Sequence, residues 1–122
     1  MSSINKAILV GHVGQDVQLK KMSNGDSTCK LTLATTEKWT DAMGKKVEKT
    51  EWHRLTFFKG LADVVGKYIT KGSLIYVEGR IESSTWMDKT TGQERTSTEI
   101  VCNKMEMLSI KERASLSPLI EF

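Results

Sequence analysis

The apolar residues of this chain fall in short runs that alternate with polar ones and are cut by turn-forming clusters, a periodicity that demands strands. Cys29, Leu31 and Leu33 alternate with Lys30, Thr32 and Ala34, which gives one core face and one wetter face. The run from Ile4 to Val13 is apolar on both faces, as expected of a strand in a barrel wall. Gly11 and Gly14 punctuate it where a barrel strand would bulge or bend. A short piece from Val17 to Lys21 continues it beyond the bend, and Ser23-Asn24-Gly25-Asp26 marks a turn. The second strand covers about Thr28 to Thr36, with Trp39 at its end. Residues 40–49 are polar and read as a long exposed hairpin loop, and the third strand runs from Thr50 to Phe58.

Leu61, Val64, Val65, Tyr68 and Ile69 then follow the spacing of a short amphipathic helix, with Gly72 placed as its C-terminal cap. Ser73 to Ser84 is the fourth strand, with Ile75, Val77 and Ile81 on one face. Asp88 to Gly92 is a hairpin turn, and the fifth strand runs from about Arg95 to Leu108. This order predicts a mainly β chain: a five-stranded OB-fold barrel with one short helix between strands 3 and 4 that plugs one end. The domain is expected over residues 1–110. Residues 111–122, with the only proline at Pro118, read as a short C-terminal tail.

At 122 residues the chain suffices for one domain with one core. Its formal net charge of +3 permits a polyanionic partner without demanding one. No run approaches ~18 apolar residues, so no membrane span is expected. The N-terminus enters a strand without a signal-peptide pattern, so a cytoplasmic location is expected. Cys29 and Cys102 are far apart and read as buried apolar residues, not zinc ligands. Glu48, Glu51, Asp63 and Glu78 are scattered over different elements, and His12 lies far from His53. Neither a metal-dependent nuclease nor a nucleophile–base pair is indicated, so no enzyme, metal or cofactor is expected.

The sharpest local pattern is in the third strand. Alternation puts Trp52, Arg54, Thr56 and Phe58 on one face, and Leu55 and Phe57 with His53 on the other. Flat π-surfaces beside a cation are what a single nucleic-acid strand needs: bases stack and the backbone is held. Trp39 and Trp86 sit at strand ends whose loops are expected to flank the same face. The alternative for each tryptophan is a place in the core or an interface. Candidate backbone cations are Lys6, Lys20, Lys21, Lys30, Lys45 and Lys46, followed by Lys49, Arg54, Lys59, Lys71, Arg80 and Arg95. The plainer alternative for any one of them is a solvated surface charge.

Several segments, in order, resemble the bacterial single-stranded DNA-binding protein family. They are Asn5 through Asp16, Leu33-Ala-Thr-Thr-Glu-Lys-Trp39, Thr50-Glu-Trp-His-Arg54, Lys71-Gly-Ser-Leu-Ile-Tyr-Val-Glu-Gly79, and Trp86. The similarity covers about residues 1–110. It implies an OB-fold homotetramer wrapped by single-stranded DNA, bound without strong sequence preference and protected during replication, recombination and repair. It implies base stacking on Trp39, Trp52, Phe58 and Trp86, helped by Arg54 and lysines, with His53 and Tyr76 at a subunit interface. Two departures stand out. The family often has basic residues before the final tryptophan, where this chain has Glu82-Ser-Ser-Thr85, so fewer phosphate contacts are expected along that edge. The family usually ends in a Gly-, Gln- and Pro-rich linker and an acidic tip, where this chain ends Ser117-Pro-Leu-Ile-Glu-Phe122. Tip-dependent recruitment of replication and repair proteins is therefore expected to be weak or absent. Two alternatives are a related dimeric OB-fold adaptor of the primosome and an RNA-binding cold-shock role.

Overall fold

The computed structural model describes residues 2–109; Met1 and residues 110–122, including the expected tail at 111–122, lie outside the described residues. The elements are β1 (Ala7–Val13), β2 (Gln18–Lys21), β3 (Ser27–Thr40), β4 (Lys46–Phe58), α1 (Lys59–Tyr68), β5 (Leu74–Met87) and β6 (Glu94–Ser109). They pair in the order β1-β5-β6-β4-β3-β2, and an added β1–β3 pairing closes the sheet into a barrel. β2 is the continuation of the first strand past the Gly14 bend, so the barrel has the five strands expected of an OB fold. All pairings are antiparallel except β4–β6, which is parallel. Closure occurs where His12 and Val13 meet Ala34 and Leu33. A Cβ on Gly11 would collide with the carbonyl of Ala34, so only glycine allows the two backbones this approach.

The inward side chains are those the alternation predicts. Cys29, Leu31 and Leu33 of β3, Leu55 and Phe57 of β4, and Ile75 and Val77 of β5 are fully buried. Ala62 and Val65 of α1, with Ile69, cap one end of this core. The buried helical stripe is narrower than expected: Val64 and Tyr68 face solvent, and the Lys67 ammonium lies 5.3 Å from the Tyr68 ring. Gly72 takes the expected left-handed backbone, but in the turn after the helix; the cap itself is Ile69, whose N–H donates to the Val65 carbonyl.

Three further expectations are corrected. Residues 40–49 are not one long loop: half of them are strand, because paired side chains such as Trp39 with Val47 and Glu37 with Lys49 extend the ladder to a tight turn over residues 41–45. Asp41 closes that turn by accepting from the N–H groups of Met43 and Lys45. The first strand is not buried on both faces, since Ile8 and Val10 are 55% and 47% exposed. Ile81 shares the parity of Ile75 and Val77, yet it is exposed because the β5–β6 hairpin runs on past the barrel as a free ribbon.

Both cysteines are free and buried, which raises the Cys29 thiol and pushes Cys102 up to about 12. Burial disfavours the thiolate, so both thiols should resist a disulfide reagent at pH 8 in the folded protein and react at once in denaturant. Because the folded pKa values are raised, the contribution of both thiols to stability is whole below pH ~9 and is lost as the pH rises above it, for Cys102 toward about 12. Rapid native-state labelling of Cys102 would contradict this placement.

Candidate nucleic-acid interface

The β3–β4 ladder runs without a break from Thr28 opposite Phe58 to Thr40 opposite Lys46. Partners directly across a ladder share a face. The outward residues of β4 therefore line up with those of β3: Trp52 with Ala34, Arg54 with Thr32, Thr56 with Lys30, and Phe58 with Thr28. β2 extends the rows by placing Gln18 opposite Lys30 and Lys20 opposite Thr28. Lys20 and Lys30 thus lie in the rows of Phe58 and Thr56. The third-strand reading put Trp52, Arg54 and Phe58 on display, and all three are exposed. Thr56 is not, being only 1% exposed, and its hydroxyl has no hydrogen-bond partner among the described residues. It belongs to the lining of a groove shared with Gln15, Lys30, Arg54, Ser97 and Glu99.

Trp52 is 57% exposed and its ring lies over Gly14, at the bend between β1 and β2. A Cβ there would overlap the ring edge and crowd the Thr32 hydroxyl. Arg54 is oriented by its Nη1, which donates to Ser97 Oγ at 3.0 Å across to β6. Trp86 is half exposed on β5, opposite Arg95, in the outward parity of Ser84 and Ser97. Outward alternation thus carries one surface across β2, β3, β4, β6 and β5. Trp39 is not on it: the unbroken register puts this side chain with Val47 and Lys49, on the opposite face of the β3–β4 ribbon from Trp52.

The cations divide by their partners. Lys6 pairs with Glu78 at 3.2 Å, and Arg95 Nε with Asp88 at 3.3 Å. Hydrogen bonds from the backbone N–H groups of Thr90 and Thr91, then the Arg95 side chain, hold the Asp88 carboxyl below its ordinary range. Lys21 donates to Ser27 Oγ at the far end of β2. Lys45, Lys46 and Lys49 lie on the β3–β4 hairpin, away from Phe58. Lys59 starts α1 directly after Phe58 in a left-handed conformation (φ 58°), and Lys71 lies in the turn after the helix. Arg80 is paired with Glu82.

His53 and Tyr76 lie on β4 and β5, with β6 between them. His53 shares a hydrogen bond with Thr35 Oγ1 at 2.9 Å. The Tyr76 hydroxyl donates to Glu78, which lowers the Glu78 carboxyl and raises the Tyr76 phenol. Among the described residues, no three His, Cys, Asp or Glu side chains converge as on a metal, and no helix is long and apolar enough to cross a membrane.

Sequence reasoning missed the seat that Gly14 gives Trp52, the Ser97 anchor on Arg54, and the placement of Lys30 midway along the face. The hairpin turn held the signal for Lys30: with Asp41 and Gly44 recognised as its corners, counting back along the ladder sets Lys30 opposite Thr56.

A closed barrel of this strand order, with spaced aromatics and cations on its outer wall, defines the class: an OB-fold domain. Residues 4–108 match the model of the Single-strand binding protein family, and the chain belongs to that family. It is 46% identical over 106 residues to the single-stranded DNA-binding protein of Neisseria meningitidis serogroup A, a match covering 87% of this chain and 60% of that protein. It is 47% identical over 113 residues to single-stranded DNA-binding protein 1 of Xylella fastidiosa, across 92% of this chain and 82% of that protein. The chain therefore spans 60% of the length of the Neisseria relative it matches. Among solved structures, a Plasmodium falciparum SSB in complex with ssDNA superposes with a TM-score of 0.81 at 31% identity, covering 89% of this chain and 98% of that one. A deletion mutant of the Thermus aquaticus single-stranded DNA binding protein gives 0.76 at 25% identity, covering 88% and 52%.

Gly14→Ala should force the Trp52 ring off its seat. The expected outcome is a shifted tryptophan emission maximum with a loss of about 1–3 kcal/mol in denaturant unfolding, as for other overpacked sites. An unchanged spectrum and midpoint would contradict the seat.

Proposed function

We propose that this chain binds single-stranded DNA in a sequence-tolerant way, stacking bases on Trp52, Phe58 and Trp86 while Arg54, Lys20 and Lys30 hold the backbone. The observation that carries this reading is the register, which sets exposed Trp52, Arg54 and Phe58 in rows with Lys20 and Lys30 on one outward face. Aromatic rings accept any base because every base has a π-face. Each stack is worth about 1–3 kcal/mol, a figure drawn from proteins of this class rather than from this structure. The names of the Neisseria and Xylella relatives and the DNA bound to the Plasmodium neighbour support the same partner. Trp39 joins the site where the strand passes over the end of the ribbon, a surface lined also by Lys46 and by Lys38, which is paired with Glu48 at 4.0 Å. In the cell this activity would protect exposed single strands in the cytoplasm during replication, recombination and repair.

Titrating the protein with a thymidine homopolymer should strongly quench tryptophan fluorescence. Trp52→Ala should weaken binding by about 1–3 kcal/mol. Log affinity should fall with log salt at about −0.7 per neutralised phosphate. With Glu82 through Thr85 lacking any cation, that slope should be shallower than in a relative carrying arginines there. Absence of quenching at low salt would refute the reading.

We also propose a homotetramer. Between Ala7 and Gly11, β1 pairs among the described residues only with β5, which leaves its other edge open there, and Ile8 and Val10 are exposed beside it. An open edge with exposed apolar side chains is a surface that another strand covers. Tyr76 lies directly across from Val10, in keeping with its expected interface role. Mass photometry should show tetramers, and the double change Ile8→Glu with Val10→Glu should shift the mass to smaller species. A monomer of the unaltered protein would exclude the assembly.

A further inference from the structure

We propose that the groove between Trp52 and Phe58 reads the edge of one nucleobase. Glu99 accepts a hydrogen bond from an exocyclic amine there, so cytosine is favoured over thymine at this one seat. The inference rests on the outer face being the DNA interface and adds a bias to an otherwise sequence-tolerant mode.

Trp52 and Phe58 stand roughly 20 Å apart along β4, at about 3.3 Å per residue. Stacked bases rise only about 3.4 Å, so bases on the two rings are not neighbours. The nucleotide between them must cross the row of Arg54 and Thr56, over the groove lined also by Lys30, Ser97 and Glu99. Glu99 is half-buried in this groove and has no hydrogen bond or ion pair among the described residues, although Arg54 lines the same space. Instead Arg54 is tied to Ser97. Glu99 also lies directly across from Glu82, whose carboxylate is engaged by Arg80 at 3.2 Å. The buried Thr56 hydroxyl, without a partner among the described residues, adds a polar atom to the same lining.

An ionised carboxylate only accepts hydrogen bonds, and it repels a phosphate. The part of the ligand that settles against Glu99 must therefore bring a donor. The cytosine N4 amine is such a donor and pairs naturally with a carboxylate. Thymine carries the O4 carbonyl at that position, an acceptor turned toward an acceptor. The remaining donors of the Arg54 fork are free for a ring carbonyl of the same base.

The test titrates the whole chain with deoxycytidine and deoxythymidine oligomers of equal length at pH 8, comparing the unaltered protein with E99A and E82A. The ratio of affinities for dC over dT should fall about tenfold in E99A, as expected for the loss of a hydrogen bond to a charged group. It should hold in E82A, which removes an equal charge on the neighbouring strand. E99A tightening both oligomers by the same factor would overturn the proposal, since Glu99 would then act only by repelling the backbone. So would an unchanged ratio with unchanged affinities. Failure of the unaltered protein to bind either oligomer would sink the interface reading itself, and this seat with it.

Discussion

Most of this molecule's surface chemistry follows from the pairing of β3 with β4. The ladder continues through both barrel wall and ribbon with no bulge, so one turn, centred on Asp41 and Gly44, determines which side chains face inward over its whole length. A slip of one residue would move every side chain of one strand to the other face. Trp52, Arg54 and Phe58 would turn inward, and Leu55 and Phe57, now fully buried, would meet water. The core thereby protects the site: burial of apolar residues on the inner face holds the register that displays aromatics and cations on the outer one.

The fold was largely legible in the sequence because period-two alternation is a strong signal where one face is buried. Cys29 through Leu33, Leu55 with Phe57, and Ile75 with Val77 lie where that pattern places them. The errors share a cause. Hydrophobic pattern reports which side chains avoid water, not what covers them. Ile8, Val10 and Ile81 therefore read like core, although the barrel leaves them exposed. Polar cross-strand pairs misled in the opposite direction, since the extended hairpin arms at 40–49 have the composition of a loop. The third-strand face was read correctly except at Thr56, whose burial depends on neighbouring strands that one strand's alternation cannot show. The sequence places Trp39 near a turn, but the face it shows follows from the parity of the ladder, which puts it opposite Val47 and off the face of Trp52.

Electrostatics here is a matter of arrangement more than total. A net charge of +3 is too small to determine a partner. Lys6, Arg80 and Arg95 are engaged by carboxylates, which leaves Lys20, Lys30 and Arg54 as the cations set in rows with the outward aromatics of β4. Surface ion pairs of this kind contribute little to stability, so their main consequence is to spend charge locally. The β5–β6 ribbon shows the contrast, with Glu82 facing Glu99 on the side that bears Trp86. The outward face thus has a cationic end near β2 and an acidic, hydroxyl-rich end near β5.

Photo-crosslinking to a thymidine oligomer, followed by mass spectrometry of the peptides, tests the central claim most directly. The account predicts adducts concentrated on β4 at Trp52 and Phe58, with further adducts at Trp86. Adducts confined to α1 or the open edge of β1, with β4 unmodified, would contradict it.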